Sequence, residues 1–95
     1  MAHLVRWTRL ALSDLCAVRE RIALDDPDAS EAFVRKIRGS VERLAAFPGS
    51  GRLVPERRAQ GYREVVVAPY RVVYSVVGGE VWILRVWHGR RSMSK

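Results

Sequence analysis

The stretch RVWHGRR, residues 85–91, ends a run of valine and aromatic residues on His88, followed by Arg90 and Arg91. Histidine is the side chain that exchanges a proton near neutral pH, and arginine grips phosphate or carboxylate oxygens through a planar fork of N–H donors. Earlier in the chain, PGSGRLVPERRAQG (residues 48–61) gathers Arg52, Glu56, Arg57 and Arg58 among turn formers, and YREVVVAPYRVVY supplies Arg63, Glu64 and Arg71. A proton-transfer group beside guanidiniums that hold charge building on phosphorus is the equipment of phosphodiester cleavage. The same groups without proton transfer form an anion-binding surface. Arginine stays protonated at neutral pH, so acid–base work would rest on His88, Glu64 or Glu56. Plainer roles are open too: His88 as a structural strand-end residue, Glu64 as an ion-pair partner of Arg71, and Arg57 and Arg58 as a solvated loop.

Which of these groups meet depends on the elements that carry them. Residues 2–7, AHLVRW, read as a short strand stopping at Thr8, a residue suited to cap a helix. Ala11, Leu15, Val18 and Ile22 recur at three- and four-residue spacing, predicting an amphipathic helix from Arg9 to Leu24. In LDDPDAS, Asp26 suits an N-cap and Pro27 the first helical position, so a second helix begins there. Its apolar stripe is Phe33, Ile37, Val41 and Leu44, and it ends before FPGSG. The short link makes the pair an antiparallel hairpin, with Gly39 expected at a close helix–helix contact that offsets its cost of about 1 kcal/mol relative to alanine. Cys16, the one cysteine, reads as core filler within this pattern. Residues 48–61 read as a loop. YREVVVA, YRVVYSVV and EVWILRVWH then read as three strands of an antiparallel meander, broken at Pro69 and at Gly78-Gly79.

A two-residue turn at Gly78-Gly79 pairs Val77 with Glu80, which by counting back sets Arg71 opposite Val86, with His88 diagonal to it. A similar corner at Ala68-Pro69 adds Glu64 to that side. One face is then expected to carry Glu64, Arg71 and His88 together and to stay partly open, with Arg90 and Arg91 just beyond. The opposite face, with Val65, Val67, Val72, Tyr74, Val81 and Ile83, is the more continuously apolar and should lie against the helices.

Composition narrows the function classes. With 95 residues, the chain is expected to be a single α+β domain spanning residues 1–95. The absence of any apolar run of bilayer-spanning length, and the charges within the first fifteen residues, lead to an expectation of a cytoplasmic protein without membrane contact. No zinc-type ligand spacing and no glycine-rich phosphate loop occurs, so neither a metal nor a nucleotide cofactor is expected. The formal net charge is +7, and it is unevenly spread. Residues 1–51 carry eight basic and seven acidic side chains, residues 52–95 nine and three. That asymmetry suits a polyanionic partner, nucleic acid or an acidic protein segment. Because fifteen of the seventeen basic residues are arginine, a genome-wide coding bias is an equally simple source of the charge.

The order ALSDL, DDP, FPGSGR, YREVVVAPYRVVY and RVWHGRR resembles the RelE/ParE superfamily of toxins from bacterial type II toxin–antitoxin pairs, over nearly the whole chain. The resemblance implies a short N-terminal strand, a helical hairpin on one face of an antiparallel sheet, and a hetero-oligomeric complex with a cognate antitoxin. RelE-like members are ribosome-dependent nucleases that cut mRNA, some with a Glu, Arg and His set. On that branch Arg52 lies near a family basic position, Arg71 matches the sheet arginine, His88 resembles the histidine, and Glu56 is a loose counterpart of the glutamate. ParE-like members poison DNA gyrase and generally lack the nuclease set; many close on a strand followed by HGRR, as His88-Gly89-Arg90-Arg91 does here. The stretch 48–90 contains no lysine, and no counterpart of the C-terminal helix with RelE's functional tyrosine is recognised. The resemblance is therefore closer to ParE. It implies target binding through Arg52, Arg57, Arg58, Arg63, Arg71, His88, Arg90 and Arg91, with ribosome-bound mRNA as the alternative target.

Overall fold

The computed structural model describes residues 2–90. Strand β1 (Leu4–Trp7) leads into helices α1 (Arg9–Asp25) and α2 (Pro27–Ala46). Strands β2 (Arg52–Leu53), β3 (Arg63–Val67), β4 (Tyr70–Val77) and β5 (Glu80–His88) come next, with a short 3₁₀ stretch, Pro55–Gln60, between β2 and β3. The sheet runs β1-β5-β4-β3-β2; β1 lies parallel to β5 and every other pair is antiparallel. This is the expected α+β arrangement, with one addition. The 48–61 stretch, expected as a plain loop, contributes the two-residue strand β2, pairing Arg52 with Glu64 and Leu53 with Arg63.

Both helices start as their caps dictate. Thr8 Oγ1 accepts the Ala11 N–H at 3.0 Å, and Asp26 accepts from the N–H groups of Asp28 and Ala29 ahead of Pro27. Asp26 also ends α1, its own N–H donating to Ile22 O, so a single extended residue turns the hairpin. Near that turn the buried Ser30 hydroxyl donates to the Arg19 carbonyl across the pair. Gly39 departs from expectation: it is exposed, and a Cβ built there meets nothing within 4 Å. The helices approach through larger side chains, and the glycine simply sits on the solvent side. Cys16 is likewise exposed rather than part of the core. It stands one residue from the Leu15 stripe, enough to turn it off the buried face.

The core lies between hairpin and sheet. Ala11, Val18, Phe33, Ile37, Val41 and Leu44 meet Val67, Tyr70, Val72, Tyr74, Val81, Ile83 and Val86. Each fully buried aliphatic or aromatic side chain contributes about 1.5–3 kcal/mol. The apolar face of the sheet is thus the one on the helices, as the alternation required.

Candidate functional site

The hairpin turns behave as the sequence dictates: Val77 pairs with Glu80, and the Ala68-Pro69 corner sets Val67 opposite Tyr70 and Glu64 opposite Val73. Midway along β4–β5, however, the register shifts. Tyr74 pairs with Ile83 but Val73 pairs with Arg85, leaving Leu84 as an extra residue, a β-bulge. Because side chains alternate along a strand, one extra residue moves everything beyond it to the other face. Arg71 therefore lies opposite Trp87 rather than Val86, and His88 lies opposite Tyr70. The expected sharing of one face by Arg71 and His88 is corrected: His88 stands on the helix side and Arg71 on the outer side.

The outer side stays partly open, with Val66 66% exposed, but its Glu64–Arg71 part does not. The 48–61 stretch folds over it, and Val73 and Val54 are completely buried. Glu64 is 1% exposed and Arg71 5%. Arg71 Nη1 donates to Glu64 Oε1 at 2.7 Å, and its Nη2 donates to Glu56 Oε2 at 3.2 Å. Arg52 Nε donates to the other Glu64 oxygen at 2.6 Å. Among the described residues, two guanidiniums and two carboxylates thus meet in one cluster that runs from the buried Glu64 and Arg71 out to the exposed Arg52. Burial pulls the Arg71 pKa down, but the hydrogen bonds and charges of Glu64 and Glu56 outweigh it and hold the guanidinium above its ordinary value. Glu64 and Arg71 share a face as expected, and Arg52 and Glu56 join them in an ion cluster holding the loop to the sheet.

The loop is anchored a second time. The Tyr74 hydroxyl donates to Pro48 O at 2.6 Å and accepts the Gly51 N–H at 2.9 Å. Burial pushes its pKa up, against lowering by the Gly51 bond and the Arg63 charge. Arg63, on the helix-side face of β3, donates to Gly51 O at 2.7 Å. Gly51 admits no side chain, since a Cβ would lie 2.6 Å from both Glu64 O and the Tyr74 hydroxyl oxygen.

His88 is exposed at the end of β5, its ring edge-on to Tyr70 with centroids 5.6 Å apart. Its Nδ1 accepts the Arg90 N–H at 3.2 Å, so the neutral ring carries its proton on Nε2. The ring borders a cleft of about 240 Å³ with Asp14, Arg21, Tyr70 and Trp87. Arg58 and Arg90 are exposed, Arg57 is half-buried, and the Arg52 side chain is 67% exposed while paired with Glu64. Arg91 lies outside the described residues. Among the described residues, no three of His, Cys, Asp and Glu converge where they could hold a metal ion.

Sequence patterning alone missed the residues that contact the bulged strand. Thr8 N–H donates to Ile83 O and its hydroxyl to Leu84 O at 3.1 Å. Beyond Ile83, the last β5 partner of β1, α1 takes over the strand edge: Asp14 accepts the Val86 N–H at 3.0 Å and both Nε and Nη2 of Arg85. That guanidinium lies 4.5 Å from the Trp87 ring centroid. The available signal was Asp14's spacing from Ala11 and Val18, which puts a carboxylate on the apolar side of α1, where it needs a buried partner.

This fold and motif order match a family model described as the ParE toxin of the type II toxin–antitoxin system parDE, over residues 5–93. The chain belongs to the ParE toxin family. Within the wider RelE/ParE superfamily, it is 38% identical over 92 residues to Toxin RelE2 of Caulobacter vibrioides, covering 96% of this chain and 99% of that protein. Among solved structures, the chromosomal ParDE toxin–antitoxin system from P. aeruginosa superposes with a TM-score of 0.73 at 29% identity, covering 92% of this chain and 96% of that one. A chain of the toxin–antitoxin complex RelBE2 from Mycobacterium tuberculosis gives 0.61 at 25% identity, covering 93% and 99%. These relatives carry both RelE and ParE names. Membership in the family therefore makes this chain a type II toxin without deciding its target.

Proposed function

We propose that this ParE-family toxin arrests growth by binding DNA gyrase, without chemistry of its own, and that a cognate antitoxin silences it in a hetero-oligomeric complex. The observation that carries the reading is the separation of His88 from Arg71. Phosphodiester cleavage needs the proton-transfer group and the phosphate-holding guanidinium around one phosphate, whereas here the bulge sends them to opposite faces and Arg71 is engaged by two carboxylates, the buried Glu64 and the more exposed Glu56. What stays available on the surface is positive charge: Arg58, the half-exposed Arg57, and Arg90 beside His88. Such a set suits contact with gyrase or its DNA.

The antitoxin has a fitting seat. A groove of about 420 Å³ runs between β1 and the hairpin, floored by Trp7, Leu15, Val34 and Ala45 and edged by Arg38 and Glu42. An apolar floor edged by charged side chains of α2 suits an amphipathic antitoxin helix. Induced expression without antitoxin, with plasmid supercoiling and transcript integrity measured in parallel, separates the targets. Gyrase binding should give relaxed plasmid, a DNA-damage response and intact transcripts. Cut transcripts with normal supercoiling favour the ribosome-dependent mRNA nuclease and end the gyrase reading.

A further inference from the structure

We propose that Asp14, assisted by Thr8, is a positioning residue that decides which face of the sheet presents His88, Gly89 and Arg90. A bulge inside a two-strand ladder leaves main-chain groups without cross-strand partners, and such groups must be satisfied if the bulge is to persist. Here two main-chain groups, one at the extra residue and one on the β5 edge just beyond it, are met from outside the sheet by the N-cap and first turns of α1. The Leu84 carbonyl accepts from the Thr8 hydroxyl, and the Val86 N–H donates to the Asp14 carboxylate. The same carboxylate holds Arg85 through two donors at 2.8 and 3.0 Å. With the Thr8 N–H donating to Ile83 O, contacts from two residues fix the strand from one residue before the extra residue to two beyond it. The Gly78-Gly79 turn sets only the start of the ladder and is indifferent to the register farther along β5.

Without this lock, the ladder continues regularly: Val73 meets Leu84, Arg71 meets Val86, and His88 crosses to the side of Arg71. The lock therefore controls the surface offered by the C-terminal end of β5. Its link to toxicity rests on the reading that this end engages the target.

The test uses the full chain, expressed with and without antitoxin. Asp14→Asn keeps an acceptor for the Val86 N–H; Asp14→Leu removes it at similar volume; Thr8→Val removes the Leu84 contact alone. Cross-strand NOEs report the register, since Arg71 contacts Trp87 in the locked ladder and Val86 in the regular one. Asp14→Leu is expected to shift the NOEs to Val86 and to weaken growth arrest at least tenfold, while Asp14→Asn keeps the Arg71–Trp87 contact and its toxicity. If Asp14→Leu yields no folded protein, Thr8→Val serves, with a mixture of the two registers as the expected result. Arg71–Trp87 contacts alone in either folded variant overturn the lock. A shifted register with undiminished growth arrest leaves the lock standing and removes the C-terminal end from the target site.

Discussion

Replacing Glu64 tests whether the outer-face cluster holds the loop to the sheet. Its side chain is fully buried, with one oxygen on Arg71, whose side chain is 6% exposed, and the other on Arg52, which is 67% exposed. The Arg52 pair is screened by solvent and is worth at most about 1 kcal/mol. The Arg71 pair is different. Glu64→Gln removes the buried carboxylate from Arg71, whose other carboxylate partner among the described residues, Glu56, is itself 25% exposed, and breaking a buried pair costs about 3–5 kcal/mol. For a domain whose total stability is about 5–15 kcal/mol, that loss lowers the thermal midpoint by at least about 12 °C. Urea and thermal unfolding of wild type, Glu64→Gln, Arg71→Met and the double variant Glu64→Met/Arg71→Met measure it. The double variant is expected to lose less than the two single losses combined, since removing both charges leaves neither stranded. A Glu64→Gln variant within about 1 kcal/mol of wild type, or strictly additive losses, would refute the assignment.

Three further outcomes rest on the same geometry. Gly51→Ala forces a methyl group onto Glu64 O and the Tyr74 hydroxyl, and is expected to cost about 1–3 kcal/mol in urea unfolding; an unchanged midpoint contradicts the close approach. Asp26→Ala removes the acceptor that starts α2 and should cost about 1 kcal/mol, read as a lower thermal midpoint. The Glu80 carboxyl is held below its ordinary value chiefly by the Arg6 hydrogen bond, against desolvation, with the Trp82 N–H and the Arg6 charge adding lesser lowering contributions. Its folded value is depressed, so its stabilisation is present above the unfolded carboxyl pKa and is lost as pH falls through the folded value. An NMR titration should place the Glu80 midpoint below that of an unpaired glutamate, and Arg6→Gln should return it.

Helix starts and strand positions were legible because they obey local rules. Thr8, Asp26 and Pro27 fixed the helix entries, and period-two valines bounded the strands. The Ala68-Pro69 corner holds its register along the whole of β3, while the Gly78-Gly79 hairpin does so only as far as Ile83. The slip at Leu84 was illegible because its cause lies about seventy residues earlier, in Thr8 and Asp14. Alternation along β5 carries no trace of a partner on α1. Burial of the Glu64–Arg71 part of the outer face was illegible for a similar reason. Val54 and Glu56 cover it from a stretch without periodicity, which local pattern reads only as loop. Arg71 and Glu64 were found as a pair; that the pair is internal depends on the loop's tertiary path.

The most direct test of target and chemistry together is purified toxin, freed from antitoxin, assayed with purified gyrase on relaxed plasmid and with programmed ribosomes, alongside His88→Ala. Gyrase binding without chemistry predicts inhibited supercoiling by wild type and no mRNA cleavage by either protein. Site-specific mRNA cleavage by wild type that disappears in His88→Ala, with supercoiling untouched, contradicts it.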